Sequence, residues 1–285
     1  MLYKRPRPDD DLERELAAIK RACETWSPLH YAIENWESTC VVDSLVNQFW
    51  DPTVQNEKGL TPLLRACQIG NFAGALELIE ERGARVSLEE LLEDEPKCPP
   101  LLHLAVQGRD NFKQDGRRIL LERPGPVEAR DAEQVAFIKF LLAKGVDVDE
   151  LFLRNRNGHR GQCTPLNTAI GGIDSEGRGA DTVPAVVEAL LEAGADPNHP
   201  DESGSTPLFN AVRFCVADDC DLEVRRETWA VIRLLVKYGA RLDVGTESGD
   251  SPLSIAAEAA QRMAARDSEC HKLLSVAAAE AAEQA

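Results

Sequence analysis

Lysine and arginine are in short supply in this chain. There are 32 of them against 49 aspartates and glutamates in 285 residues, a formal net charge of −17. Duplex DNA binding needs cations clustered along one face, so no direct nucleic-acid partner is expected. No apolar run approaches the roughly 18 residues of a membrane span, and no membrane partner is expected either. The N-terminus lacks the apolar stretch of a secretory leader, which points to an intracellular chain, cytoplasmic and/or nuclear. The eight cysteines stand at 23, 40, 67, 98, 163, 215, 220 and 270, without a Cys-x2-Cys pair. No His pair stands nearby at metal-ligand spacing, so no metal site is expected, and all eight thiols are expected to be free.

What the chain does have is repetition. Six copies of one short stretch begin at Ser27, Thr61, Pro100, Thr164, Thr206 and Ser251. The clearest is Thr206-Pro207-Leu208-Phe209-Asn210-Ala211. A leucine-rich run ending in Gly-Ala-Asp or its remnant follows each of the first five, best preserved as Leu190-Leu191-Glu192-Ala193-Gly194-Ala195-Asp196-Pro197-Asn198. Proline suits the first turn of a helix, where its missing N–H would be unpaired anyway. The Thr or Ser before it offers an oxygen to the orphan amides. Gly at the far end takes the left-handed conformation that stops a second helix. Two short helices cannot bury their apolar faces alone, so copies must stack.

These motifs resemble the ankyrin repeat. The resemblance implies an all-α solenoid of stacked helix pairs, with short β-hairpin loops and capping helices at both ends. Residues 1–10 read as a flexible basic and acidic N-terminus, and 11–26 as a capping helix with a stripe of Leu12, Leu16, Ile19 and Cys23. The repeats are about 27–60, 61–99, 100–163, 164–205, 206–250 and 251–285, together one domain. Their start positions differ by 34, 39, 64, 42 and 45, against about 33 for the family. The excess places insertions between paired helices at 111–131, 171–181 and 215–226, and an enlarged hairpin at the end of repeat three. Ala132–Lys144 is expected to be that repeat's second helix, with Val135, Ile138, Leu141 and Leu142 as its core.

Candidate chemistry is thin. Gly171, Gly172, Gly177 and Gly179 lack the Gly-Lys-Ser/Thr of a phosphate cradle, and Asp218, Asp219 and Asp221 lack the Gly and terminal Glu of a calcium loop. No catalytic residue and no cofactor is assigned. His30 and His103 fall at the family's histidine position, where the resemblance implies a structural tie between neighbouring loops. It also implies a partner surface of hairpin tips and exposed helix-one positions. The tips are Glu57, Lys58 and Leu60; Glu202, Ser203 and Ser205; and Glu247, Ser248 and Asp250. The helix-one positions are Glu34, Gln68, Ile69, Gln107, Arg213, Phe214 and Glu258. Arg213 and Phe214 stand out, because Arg and aromatics are enriched among interface hot spots.

The expected function is therefore a non-enzymatic, protein-binding adaptor with a regulatory role, of the transcriptional-coregulator kind. Lys4-Arg5-Pro6-Arg7 fits a short nuclear import signal. The alternative is an enzyme or small-molecule binder whose site is built from the three insertions.

Overall fold

The computed structural model describes residues 27–34, 53–56, 59–80, 100–107, 127–156, 159–170, 183–201, 203–216, 222–244 and 249–262. The expected N-terminal capping helix, the expected second helix of repeat one, the 171–181 insertion and residues 263–285 lie outside them. The chain divides into two compact units, 1–123 and 124–285. The division falls at Pro124-Gly125-Pro126, a sequence that forbids a continuous helix.

In the first unit the described helices are α1 (Pro28–Glu34), α2 (Pro62–Ile69), α3 (Phe72–Glu80) and α4 (Leu101–Gln107). Helix α2 packs against α1, α3 and α4. The second unit holds α5 (Val127–Ala143), the strands β1 (Phe152–Arg156) and β2 (His159–Cys163), then α6 (Pro165–Ile170) and α7 (Pro184–Glu192). It continues with α8 (Pro207–Cys215), α9 (Leu222–Lys237) and α10 (Pro252–Arg262). Strands β1 and β2 pair antiparallel from Phe152 opposite Cys163 to Arg156 opposite His159. They are the enlarged hairpin expected at the end of repeat three.

The motif chemistry operates as written. Pro28, Pro62, Pro165, Pro207 and Pro252 each open a helix. The Thr61 Oγ1 accepts from the Leu64 amide at 3.3 Å, Thr164 from Asn167 at 3.2 Å, Thr206 from Phe209 at 3.3 Å and Ser251 from Ser254 at 3.2 Å. At the far ends Gly145, Gly194 and Gly239 have φ of 89°, 96° and 87°, a region that L side chains rarely adopt. Of the six motif leucines, Leu29, Leu63, Leu102, Leu166 and Leu208 are 2% exposed or less, and Leu253 is half-buried. Each such burial contributes about 1.5–3 kcal/mol relative to exposure.

Two boundaries depart from expectation. Helix α5 begins at Val127, five residues before Ala132, so the last part of the 111–131 insertion is helical. Helix α9 begins at Leu222, and Cys215 is the last residue of α8, so the 215–226 insertion is also largely helix at its ends. Both misplaced boundaries fall in charged stretches, and Arg and Glu are good helix formers. The core of α5 also shifts: Gln134, Phe137, Ile138 and Leu141 are buried, while Val135 and Leu142 are only half-buried. Cys67, Cys163 and Cys215 are buried thiols outside any disulfide, and burial pushes the Cys67 thiol far above its ordinary value. The other five cysteines lie outside the described residues.

Candidate protein-binding surface

In the first helices α1, α2, α4 and α8 one register stays accessible while the rest is buried. In α8 every residue is buried except Arg213, and in α4 every residue except Gln107. In α2 the exceptions are Arg65 and Gln68, and in α1 Tyr31 and Glu34. Glu258 is exposed at the matching place in α10. Five of the seven expected helix-one positions, Glu34, Gln68, Gln107, Arg213 and Glu258, are therefore accessible.

Ile69 and Phe214 do not. Ile69 is 0% exposed and Phe214 is 8% exposed, so neither offers a surface to a partner. Both are the next residue along the helix from the accessible register. The reason is geometric: α8 packs against α6, α9 and α10, and α2 against three neighbours likewise. A helix wedged on three sides has a wider buried arc than a one-sided amphipathic stripe.

The accessible register is not uniformly free. The Arg65 guanidinium donates to Glu34 Oε1 at 2.7 Å from Nε and to Gln68 Oε1 at 2.8 Å from Nη1. Arg65 thus holds two expected contact residues, and the sequence reading did not include it. Its signal was available, since Arg65 sits one turn before Gln68 on the same helix. Arg213 makes no ion pair among the described residues and stands exposed at the last turn of α8.

At the hairpin tips the expectation is partly revised. Leu60 is 5% and Ser205 2% exposed, so both point into the repeat. Ser203 is exposed, but its Oγ lies 2.6 Å from Asp201 Oδ1 and 2.9 Å from Ser205 Oγ. Asp201 Oδ1 also accepts the Ser203 and Ser205 amides at 2.9 and 3.0 Å, and its Oδ2 accepts Asn210 Nδ2 at 2.7 Å. Asn56 plays the matching part at the tip between repeats one and two, where its Oδ1 accepts the Leu60 amide at 3.0 Å. The signal for both is Asn/Asp-x-x-Gly just before the motif: Asn56 to Gly59 and Asp201 to Gly204. Asp250 is exposed. Glu57, Lys58, Glu202, Glu247 and Ser248 lie outside the described residues.

The comparisons with known proteins decide the family. A family model for "Ankyrin repeats (many copies)" matches residues 29–79. The chain is built of ankyrin repeats. It is 30% identical over 208 residues to human Ankyrin repeat and SOCS box protein 16, which covers 73% of this chain and 35% of that protein. The chain spans 35% or less of the length of the curated relatives it matches. Among solved structures, it is similar to an ankyrin repeat domain from Acinetobacter baumannii, at 23% identity and TM-score 0.55, covering 88% of this chain and 97% of that one. It is also similar to one chain in the structure of a predatory endopeptidase–immunity protein complex from Bdellovibrio bacteriovorus. That likeness has 20% identity and TM-score 0.51, with 87% and 96% covered.

Polar ties hold neighbouring ankyrin repeats in register. His30 Nε2 donates to the Leu60 carbonyl at 2.8 Å, which ties the first helix of repeat one to the tip just before repeat two. Asn167 occupies the same motif position in repeat four and does the same work, its Nδ2 donating to the His199 carbonyl at 2.9 Å. A second ladder joins the loops after the paired helices. The Asp149 carboxylate accepts the Asp196 amide, and Asn198 accepts the Arg241 amide at 2.7 Å while donating to the Gly239 carbonyl at 3.2 Å.

The His30 tie has a pH consequence. With Nε2 donating, Nδ1 carries the lone pair, and it is buried with no hydrogen-bond partner. Burial holds the His30 pKa below its ordinary value, against the raising effects of the Leu60 carbonyl and Glu34; Arg65 lowers it further. The unfolded chain therefore binds this proton more readily. The tie's contribution is complete above about pH 6.5 and is lost as pH falls below it. His30→Asn keeps a donor, as Asn167 does, and removes the titration. Thermal melts at about pH 7 and pH 5 should show a smaller acid loss in the variant than in the wild type. Equal losses would remove His30 from the account.

Proposed function

We propose that this ankyrin-repeat chain is a non-enzymatic adaptor that binds a protein partner through the accessible face of α8, with Arg213 as its principal contact. The observation that carries the reading is Arg213 itself: the one exposed residue of an otherwise buried nine-residue helix, and without an ion pair among the described residues. A rigid helix presents this side chain with its backbone already ordered, which lowers the entropy cost of binding. Guanidinium offers a planar fork of donors suited to carboxylates or carbonyls. The Bdellovibrio complex, in which an endopeptidase and an immunity protein meet, is in keeping with a protein-binding use of the fold.

The finer reading is a regulatory adaptor of the transcriptional-coregulator kind, acting in the nucleus as well as the cytoplasm. It is supported by the net charge of −17, which disfavours direct DNA reading, and by Lys4–Arg7. Deleting residues 1–8 should then shift the protein out of the nucleus, and unchanged localisation would remove that part.

The binding reading is tested with Arg213→Glu. Quantitative affinity capture from native extract should show proteins retained by the wild type and reduced at least about tenfold with the variant, the effect of losing a hot spot. Melting should be nearly unchanged, since the site is exposed. An identical captured set would overturn the assignment.

A further inference from the structure

The outer face of α9 carries a feature that the first-helix surface does not use. Arg226, Arg233 and Lys237 are all exposed, and they are spaced by seven and four residues. On a helix of 3.6 residues per turn these three fall within about 40° of one another and span about 16 Å of axis. The buried residues Thr228, Val231, Ile232 and Leu235 lie on the opposite side. None of the three cations pairs with a carboxylate among the described residues; Lys237 lies over the Tyr238 ring at 5.2 Å. Trp229, half-buried, borders the same stripe.

The neighbouring outer helices are different. Lys139 of α5 is paired with Glu192 of α7 at 3.1 Å, and α7 also presents Glu188. A cation-only row beside a half-exposed tryptophan, in a chain of net charge −17, is therefore a local reversal of sign. We propose that this face of α9 is a second interaction surface, and that its occupant is an acidic helical segment of a partner protein. Charge complementarity selects carboxylates. The chain's overall negative charge works against an extended polyanion such as DNA or an anionic bilayer, whose field acts beyond the contact. Spacing selects a helix: carboxylates at i, i+4 and i+11 of an antiparallel helix meet Lys237, Arg233 and Arg226 in turn. Trp and Arg together are the residue types enriched where binding energy concentrates.

The test uses the full chain and a synthetic helical peptide with three glutamates at i, i+4 and i+11 and a leucine to meet Trp229. A control peptide of the same composition disperses the glutamates around the helix. By titration calorimetry at low salt the matched peptide should bind at least about tenfold tighter than the control, and more weakly as salt rises. Arg226→Ala/Arg233→Ala/Lys237→Ala should abolish that difference with an unchanged melting curve, and the single variant Arg233→Glu should weaken binding. Arg213→Glu should leave it unaffected, because the two surfaces are independent. Equal affinity for the two peptides, no binding of the matched one, or indifference to the triple substitution would each overturn the proposal. So would a short DNA duplex or phosphatidylserine vesicles binding through the same three residues as strongly as the peptide does.

Discussion

Phe214→Ala should destabilise the protein by about 3 kcal/mol, while Arg213→Ala, one residue away, should cost no more than about 0.5 kcal/mol. Phe214 is 8% exposed and Arg213 is the exposed member of its helix. Removing a buried ring forfeits its transfer free energy and leaves a cavity that α8, fixed by neighbours on three sides, cannot collapse to fill. Urea denaturation followed by far-UV circular dichroism separates the two variants directly. Any binding defect in Phe214→Ala then follows from lost structure, so Arg213→Glu alone is the informative change at the surface. Similar small effects at both positions would return Phe214 to the surface.

The contrast shows where sequence information ends. Proline, its Thr or Ser cap and the terminal glycine act through the backbone of their own helix, so Thr61, Thr206, Gly194 and Gly239 were legible from the chain alone. His30 was legible only through the family resemblance, since its bond reaches the Leu60 carbonyl 30 residues on. Burial at Phe214 and Ile69 is set by what the neighbouring repeats bring against the helix, which no local periodicity reports. A one-sided stripe through Leu208, Ala211, Val212 and Cys215 accounts for α8 as an amphipathic helix. It says nothing of a second wall. The ends of α5 and α9 were obscured for another reason: charged residues that favour helix also favour exposed loops, and only packing of the following apolar residues decides.

Arg65 illustrates a third limit. Its role depends on Glu34, 31 residues earlier, lying one repeat away at 2.7 Å. The pair is part-exposed, at 18% and 24%, so its main effect is to orient the surface rather than to hold the fold. Glu34 and Gln68 are thus held in fixed orientations, whereas Arg213 has no ion pair among the described residues.

Asp201→Ala should be the other severe substitution, at about 3 kcal/mol, because it strands two donors that the fold has withdrawn from water. Ser205, 2% exposed, directs its amide to Asp201 Oδ1 at 3.0 Å. Asn210, 4% exposed, directs Nδ2 to Oδ2 at 2.7 Å. Alanine can accept neither, and each buried unpaired group costs about 1–3 kcal/mol. Asp201→Asn should be milder, at about 1 kcal/mol, since one amide oxygen can still take the turn's N–H groups while Asn210 loses its acceptor. The tip between repeats one and two supports that ordering, because Asn56 holds the equivalent turn through its Oδ1 on the Leu60 amide. Thermal melts of both variants at neutral pH check it, with wild type above Asn and Asn above Ala. An equal loss for Asn and Ala would mean that the negative charge, and not the placement of two acceptor atoms, is what the tip between repeats four and five requires.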